Sequence, residues 1–369
     1  MFSKISMAIK LLILTQKIDR NDPILGFFHR WVEEFAKQCE SVIVICLQKG
    51  EYDLPKNVCV LSLGKELEIG NWKLEIVKKF IYVMNFYRYI WRERKNYDAV
   101  FVHMNPIYAV FGGILWRTWG KHIGLWYTHR SVDTKLCIAA TLAHHIFTAS
   151  RESFRLPKRK LHILGHGIDV EKFVCPGERK KITADPFMII HVGRITPIKN
   201  IDILVEAAAL LKAESNRRFR IVLVGEPATA SDRTYKEMLL ALIDKLGVSD
   251  LIVWEGSVSN SHIGEYYCGS DMSVNLAPTG GVDKAVLESM AAGTPVIAAN
   301  RAFRDYFGKY ADRLLYEERA PRDLAQKIQD LMKSTDLEAI STSLARQAQK
   351  KASVDVLVGN IIHLLVKEN

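Results

Sequence analysis

The sequence predicts an α/β protein made of two doubly wound, Rossmann-like domains, and three observations carry that prediction. The chain has 369 residues, enough for two domains with sizeable cores. Short, near-continuous apolar runs alternate throughout with amphipathic helical patterns, as parallel strands covered on both faces require. The alternation breaks over Glu171–Pro186, which carries Pro, Gly and a basic cluster and reads as an interdomain linker.

In the first half, strands are predicted at Ala8–Leu14, Ser41–Leu47, Val58–Leu61, Ala99–His103, His122–Trp126, His145–Thr148 and Leu161–Leu164. Helical periodicity lies between them at Leu25–Gln38, Trp72–Arg94, Ile107–Trp119 and Asp133–Leu142. The second half repeats the scheme. Its strands are Phe187–Val192, Arg220–Val224, Leu251–Trp254, Met272–Asn275, Val296–Ala299 and Arg313–Tyr316. Its helices are Asn200–Ala213, Asp232–Leu246, Ser261–Tyr267, Asp283–Ala292, Ala320–Lys333 and a last one from Leu337 to Val366. The expected domains are 1–170 and 171–345, with 346–369 a C-terminal helix packing back toward the first domain. Two such domains would hold a ligand in the cleft between their facing strand C-termini.

Hydrophobic residues make up 49% and charged residues 25%, ordinary for a soluble globular protein. There is no eighteen-residue apolar run, so no transmembrane helix is expected. Met1–Leu14 lacks a long apolar core and a small-residue cleavage site, so it reads as strand rather than signal peptide. Cys39, Cys46, Cys59, Cys137, Cys175 and Cys268 show no C-x-x-C spacing and read as reduced thiols in a reducing compartment. The expected location is therefore the cytoplasm.

Charge is uneven. Residues 1–180 hold 28 Lys+Arg and 17 Asp+Glu, giving +11; the rest hold 23 and 24, giving −1, and the two sum to the chain's +10. The basic half fits an anionic partner such as a membrane surface, or a solvated face with no partner. Trp72–Arg94 leaves a related choice open. Its mixture of Lys, Arg and aromatics suits a helix at the inner face of a membrane, and equally a core-packing helix with a basic outer face.

The chemistry concentrates in the second half. Gly193-Arg194-Ile195-Thr196-Pro197-Ile198-Lys199 joins an apolar strand to a helix that Lys199 is expected to begin. Downstream come Gly280-Gly281-Val282-Asp283-Lys284 and then Glu288. Two such turns offer cations, bare backbone N–H groups and one acid. That is the set a nucleoside diphosphate needs: positive charge and a helix N-terminus for phosphates, a carboxylate for ribose hydroxyls. Arg supplies a rigid fork and Lys a compact charge. Asp283 also suits a helix cap. No Asp-x-Asp pair is present to hold a metal to a diphosphate, and no G-x-G-x-x-G follows the first strand to suggest a dehydrogenase.

These residues resemble a retaining, group 1 (family-four) glycosyltransferase of the GT-B fold. The likeness rests on His191-Val192-Gly193-Arg194 with Lys199, Leu223-Val224-Gly225, Glu255-Gly256, Ser270-Asp271 and Glu288–Val296. In the first half it is carried by Trp126–His129, Thr148–Ser150 and Gly165–Asp169. The resemblance implies a metal-independent enzyme with no cofactor beyond its donor substrate, a nucleotide-diphosphate sugar. The acceptor is expected to be a glycan or lipid-linked, with no nucleic acid as partner. It implies catalytic roles for Arg194, Lys199, His129 and Glu288. Donor contacts fall to Gly193, Gly225, Glu226, Ser257, Val258, Gly280, Gly281, Val282, Asp283 and Lys284, and acceptor contacts to Gly26, His103, Arg151 and His166. One departure stands out: Gly280 occupies the place of the glutamate that in the family holds a hydroxyl of the transferred sugar. Asp283 or Lys284 is expected to take over. The rival readings are a sugar-nucleotide epimerase of the same architecture, which would need acid/base pairs around the ring, and a non-catalytic binding protein with a degenerate donor site.

Overall fold

The computed structural model describes residues 9–22, 25–66, 75–157, 159–176, 185–259 and 262–366. Ala8, Ile24, Ser261, the expected helix start at 72–74 and linker residues 177–184 lie outside the described residues. The chain divides into two compact units, Met1–Gly167 with Val354–Asn369, and Ile168–Ser353.

In the first unit the strands are β1 (Lys10–Ile18), β2 (Ser41–Lys49), β3 (Val58–Ser62), β4 (Ala99–His103), β5 (His122–Trp126), β6 (His145–Thr148) and β7 (Leu161–Ile163). Its helices include α1 (Gly26–Gln38), α2 (Glu75–Arg92), α3 (Ile107–Thr118) and α4 (Thr134–Leu142). The sheet is parallel in the order β3-β2-β1-β4-β5-β6-β7. Strands such as β4, buried at every residue, read as continuous apolar runs because helices cover both faces.

The second unit holds β8 (Phe187–Val192), β9 (Phe219–Val224), β10 (Ile252–Gly256), β11 (Met272–Asn275) and β12 (Val296–Ala298), parallel in the order β10-β9-β8-β11-β12. Around them lie α5 (Ile201–Glu214), α6 (Ala230–Lys245), α7 (Ile263–Cys268), α8 (Lys284–Ala291), α9 (Arg304–Phe307), α10 (Ala311–Leu314), α11 (Pro321–Met332) and α12 (Leu337–Lys351). α6 starts before Asp232 because Thr229 caps it and Asp232 closes a reciprocal capping box. Arg313–Tyr316, expected as a strand, is the end of α10 followed by a single bridge, Leu315 to Ala298.

The helix expected over Leu337–Val366 is two helices, α12 and α13 (Val354–Val366). The periodicity hides the break. At Ala352 the carbonyl accepts the Ile168 N–H at 2.7 Å, and Ser353 bridges Ile168 in parallel. α13 belongs to the first unit, where it packs on α1, β5 and β6. Gly124 on β5 leaves room for it: a Cβ there would stand 3.0 Å from Leu365 and 2.6 Å from Phe147.

Two further expectations are corrected. Cys175 and Cys268 form a disulfide, so the cysteines are not all reduced. They are separated by 93 positions in sequence, and the turn Val170–Phe173 packs on α7 to bring the chain to that helix's last residue. The other correction concerns α2. Phe86 and Ile90 enter the core, but the outer face is not merely basic: Ile76, Val77, Phe80, Ile81, Met84, Tyr87 and Trp91 are exposed.

Candidate functional site

Strand order places a topological switch between β8 and β11, where the chain reverses its direction of travel across the sheet; ligands of such sheets bind outside those strand ends. Three glycines lie at the strand ends there: Gly193 after β8, Gly225 after β9 and Gly256 closing β10, with φ of 159°, 139° and 79°. The Gly193 N–H donates to Val224 at 3.0 Å and the Gly225 N–H to Gly256 at 2.7 Å. A Cβ on Gly225 would stand 2.0 Å from the Gly193 carbonyl oxygen, so the two turns approach as closely as backbone permits. Arg194 follows, exposed. Pro197–Lys199 form a short 3-10 turn ended by Asn200 in the left-handed region (φ 47°), and α5 begins only at Ile201. Lys199 therefore precedes the helix rather than starting it. Asn200 Nδ2 donates to the Leu276 carbonyl at 3.0 Å, which ties this turn to the end of β11.

From that turn Lys199 makes an ion pair with Asp283. Asn275, the last residue of β11, donates from Nδ2 to the same carboxylate oxygen at 3.0 Å. Asp283 also caps α8 by accepting the Ala285 N–H at 3.3 Å, so cap and charge partner are one residue. Burial works to raise the Asp283 carboxyl, but the charge and hydrogen bond of Lys199, with Asn275, hold it below its ordinary value.

Two acceptors nearby have no partner among the described residues. His191 is fully buried, and its Nδ1–H donates to the Val274 carbonyl at 2.9 Å, so Nε2 carries the lone pair. That Nε2 is 3.6 Å from where a Cβ on Gly193 would stand, and it is unpaired, as is Asn275 Oδ1. Burial pushes the His191 imidazole down to about 4, and the Lys199 charge adds to the effect.

Along α8, Lys284 and Glu288 are four residues apart on one face, both half-buried. Burial pushes the Glu288 carboxyl up to about 7, against the pull of Lys284. Burial brings the Lys284 ammonium down to about 8. A carboxyl and an ammonium both drawn toward neutrality by burial mark this face of α8 as a candidate functional site.

The structure thus brings Gly193, Gly225, Lys199 and Asp283 together, with Lys284 and Glu288 on the helix that Asp283 caps. Gly280 and Val282 are buried, and the Gly281 carbonyl accepts Asn300 Nδ2 at 2.8 Å. Glu226 is exposed and paired with Lys236 at 3.0 Å, and Ser257 is exposed beside half-buried Val258. His191 and Asn275 escape the sequence reading as site residues. The one signal each gives is a polar side chain inside an apolar strand.

In the first unit the switch lies between β1 and β4. His103 ends β4, stacks on Phe28 at 3.8 Å and shares a 3.2 Å hydrogen bond with Thr15. His166 joins the same aromatic cluster, edge-on to Phe27, Trp31 and Trp126. Gly26 starts α1, and a Cβ there would touch the Arg20 carbonyl at 3.0 Å. His129 and Arg151 stand apart from that cluster and exposed, His129 with its ring edge-on to Tyr127 and Arg151 opening a 3-10 turn after Ser150.

Residues 177–351 match the family model of the glycosyl transferases group 1. The chain is 26% identical over 226 residues to the D-inositol 3-phosphate glycosyltransferase of Thermobispora bispora, covering 58% of this chain and 53% of that protein. It is 30% identical over 195 residues to the enzyme of the same name from Geodermatophilus obscurus, covering 49% and 42%. The matches therefore span about half or less of those relatives' own lengths. Among solved structures, Anabaena Alr3699/HepE in complex with UDP superposes with a TM-score of 0.74 at 16% identity, over 97% of this chain and all (100%) of that one. TarM superposes with a TM-score of 0.72 at 11% identity, over 99% and 100%. At such identities the likeness is one of fold. The chain has the two-unit, Rossmann-like fold of the GT-B glycosyltransferases, and its residues 177–351 match the model of the glycosyl transferases group 1.

Proposed function

We propose that this protein is a retaining, metal-independent hexosyltransferase that moves a sugar from a nucleotide-diphosphate sugar to a glycan or lipid-linked acceptor. The observation that carries the reading is the assembly of Lys199, Asp283, Asn275 and His191 at the sheet's switch point, with Glu288 on the helix beyond. Arg194 and Lys199 would face the diphosphate. Negative charge grows on that leaving group as the anomeric bond breaks, so fixed cations stabilise the transition state more than the ground state. Glu288 would accept from ribose, backbone N–H groups at Gly281 and Val282 would meet phosphate, and His129 would orient the sugar. The leaving phosphate would help to deprotonate the acceptor, the front-face course that the resemblance to retaining group 1 enzymes implies.

With Gly at 280, the hydroxyl recognition falls to this chain's own acceptors. Asp283, His191 Nε2 and Asn275 Oδ1 are acceptors in one neighbourhood, and sugar hydroxyls are donors. HepE has been solved with UDP and with UDP-glucose, which makes uracil the first base to try.

A thermal-shift screen against UDP-, GDP-, ADP-, dTDP- and CMP-sugars tests the reading. Ligand at about one hundred times its Kd adds about 2.7 kcal/mol to the folded state, a shift of a few degrees. One nucleotide class should shift the midpoint, Arg194→Ala should abolish the shift, and Asn275→Ala should weaken it for the sugar nucleotide but not for the free nucleotide. No shift with any class would favour the non-catalytic reading. Retention is checked separately by the anomeric coupling constant of the product.

A further inference from the structure

We infer that α2, with the adjoining edge of α3, is a docking surface for an anionic lipid bilayer. Ile76, Phe80, Met84, Tyr87 and Trp91 are exposed by 80%, 64%, 54%, 38% and 56%. Their spacing of four, four, three and four residues puts all five on one stripe of the helix. The inner side of α2 is already satisfied: Phe86 and Ile90 are buried in the core among Tyr108 and Trp116. The stripe is therefore not a core face seen from outside. It is a second apolar face, and monomeric proteins rarely leave large side chains contiguous and bare.

The patch continues onto α3, where Ile114 is 65% exposed. Tyr87 donates its hydroxyl to the Phe111 carbonyl at 3.2 Å, and Trp91 meets Trp119 edge-on at 5.7 Å, so the two helices hold one surface.

Charge chooses the occupant. Lys79 flanks one side of the stripe and Arg88 and Arg92 the other, all exposed. Arg92 is paired with neighbouring Glu93, and the Arg94 guanidinium lies 4.7 Å over the Trp91 ring. Aromatic and aliphatic side chains bordered by cations fit the acyl–headgroup boundary, where rings sit at the interface and cations meet phosphate. The surrounding half of the chain is basic, +11 over residues 1–180. A second copy of this chain suits the face poorly, because two-fold pairing would oppose like charges around the stripe. No helix among the described residues is long and apolar enough to cross a membrane, so contact along the surface is the mode that fits.

The test is co-sedimentation of the purified chain with vesicles of phosphatidylcholine alone and of phosphatidylcholine with phosphatidylglycerol. Binding is expected to the anionic vesicles, and weakly or not at all to the neutral ones. The double variant Phe80→Ser/Met84→Ser should lower the partition coefficient roughly tenfold or more. Arg88→Glu should weaken binding in low salt and matter less in high salt, where screening removes its contribution. Both changes are at exposed positions, so an unaltered melting curve confirms the fold. Equal binding of parent and double variant would overturn the proposal. So would self-association without vesicles that the double variant abolishes, which would make the face an interface between copies. Neither result depends on the donor site, so this inference and the proposed activity can fail separately.

Discussion

Glu288 shows how much one residue's surroundings decide. Burial raises its folded pKa to about 7 from an ordinary 4.5. A carboxyl raised in the fold favours the folded state below the unfolded value, and that contribution is lost as pH rises through the folded one. Glu288→Gln should therefore melt with the parent near pH 4 and above it at pH 8, by roughly 1–3 kcal/mol. Melting curves across that range check the sign; parallel curves would show that Glu288 ionises freely. The same variant should lose nucleotide-induced stabilisation if the carboxylate holds ribose. Arg194, Lys199 and Glu288 could be singled out in the sequence as candidates because charged residues at such spacing beside glycine turns suit an anionic ligand. His191 and Asn275 could not be, because a polar residue in an apolar strand looks like a satisfied core position until its unpaired atom is located. The disulfide was illegible for a different reason: spacing says nothing of which distant cysteines a fold brings together.

At the scale of elements, strand and helix order followed from the alternation of apolar runs, and the departures have local causes. The α12–α13 break falls where a backbone carbonyl is taken by Ile168, which periodicity does not record. The exposed stripe of α2 was visible as composition, but not as the side of the helix that lacks a cover. Between β8 and β9 the close approach of two turns is itself an element-level device. Gly225→Ala would force a left-handed φ on a residue with a Cβ and drive it into the Gly193 carbonyl. A loss of about 3 kcal/mol or more is expected, with nucleotide binding weakened beyond what the lost stability explains. Denaturant unfolding with and without nucleotide separates the two effects.

For the whole molecule, the two parallel sheets were readable from sequence because each is built from repeated strand–helix steps, whereas the strand order that sets their switch points came only with the structure. The return of α13 to the first unit is the feature with the widest reach. Gln38 Nε2 donates to the Asp355 carbonyl at 3.2 Å, and a Cβ on Gly167 would meet Leu357 at 2.8 Å, so α13 fills a prepared seat. Truncation after Ser353 should destabilise the first unit while leaving the second unit's nucleotide response intact. Hydrogen exchange read separately over β1–β6 and β8–β12 tests it, and equal loss of protection in both would refute it. During synthesis the consequence is one of timing. The second unit has all of its described chain once residue 353 has left the ribosome, whereas the first, begun earlier, waits for α13. Its unfinished surface would be exposed while residues 168–353 are made, and that is when a chaperone would be expected to bind this chain.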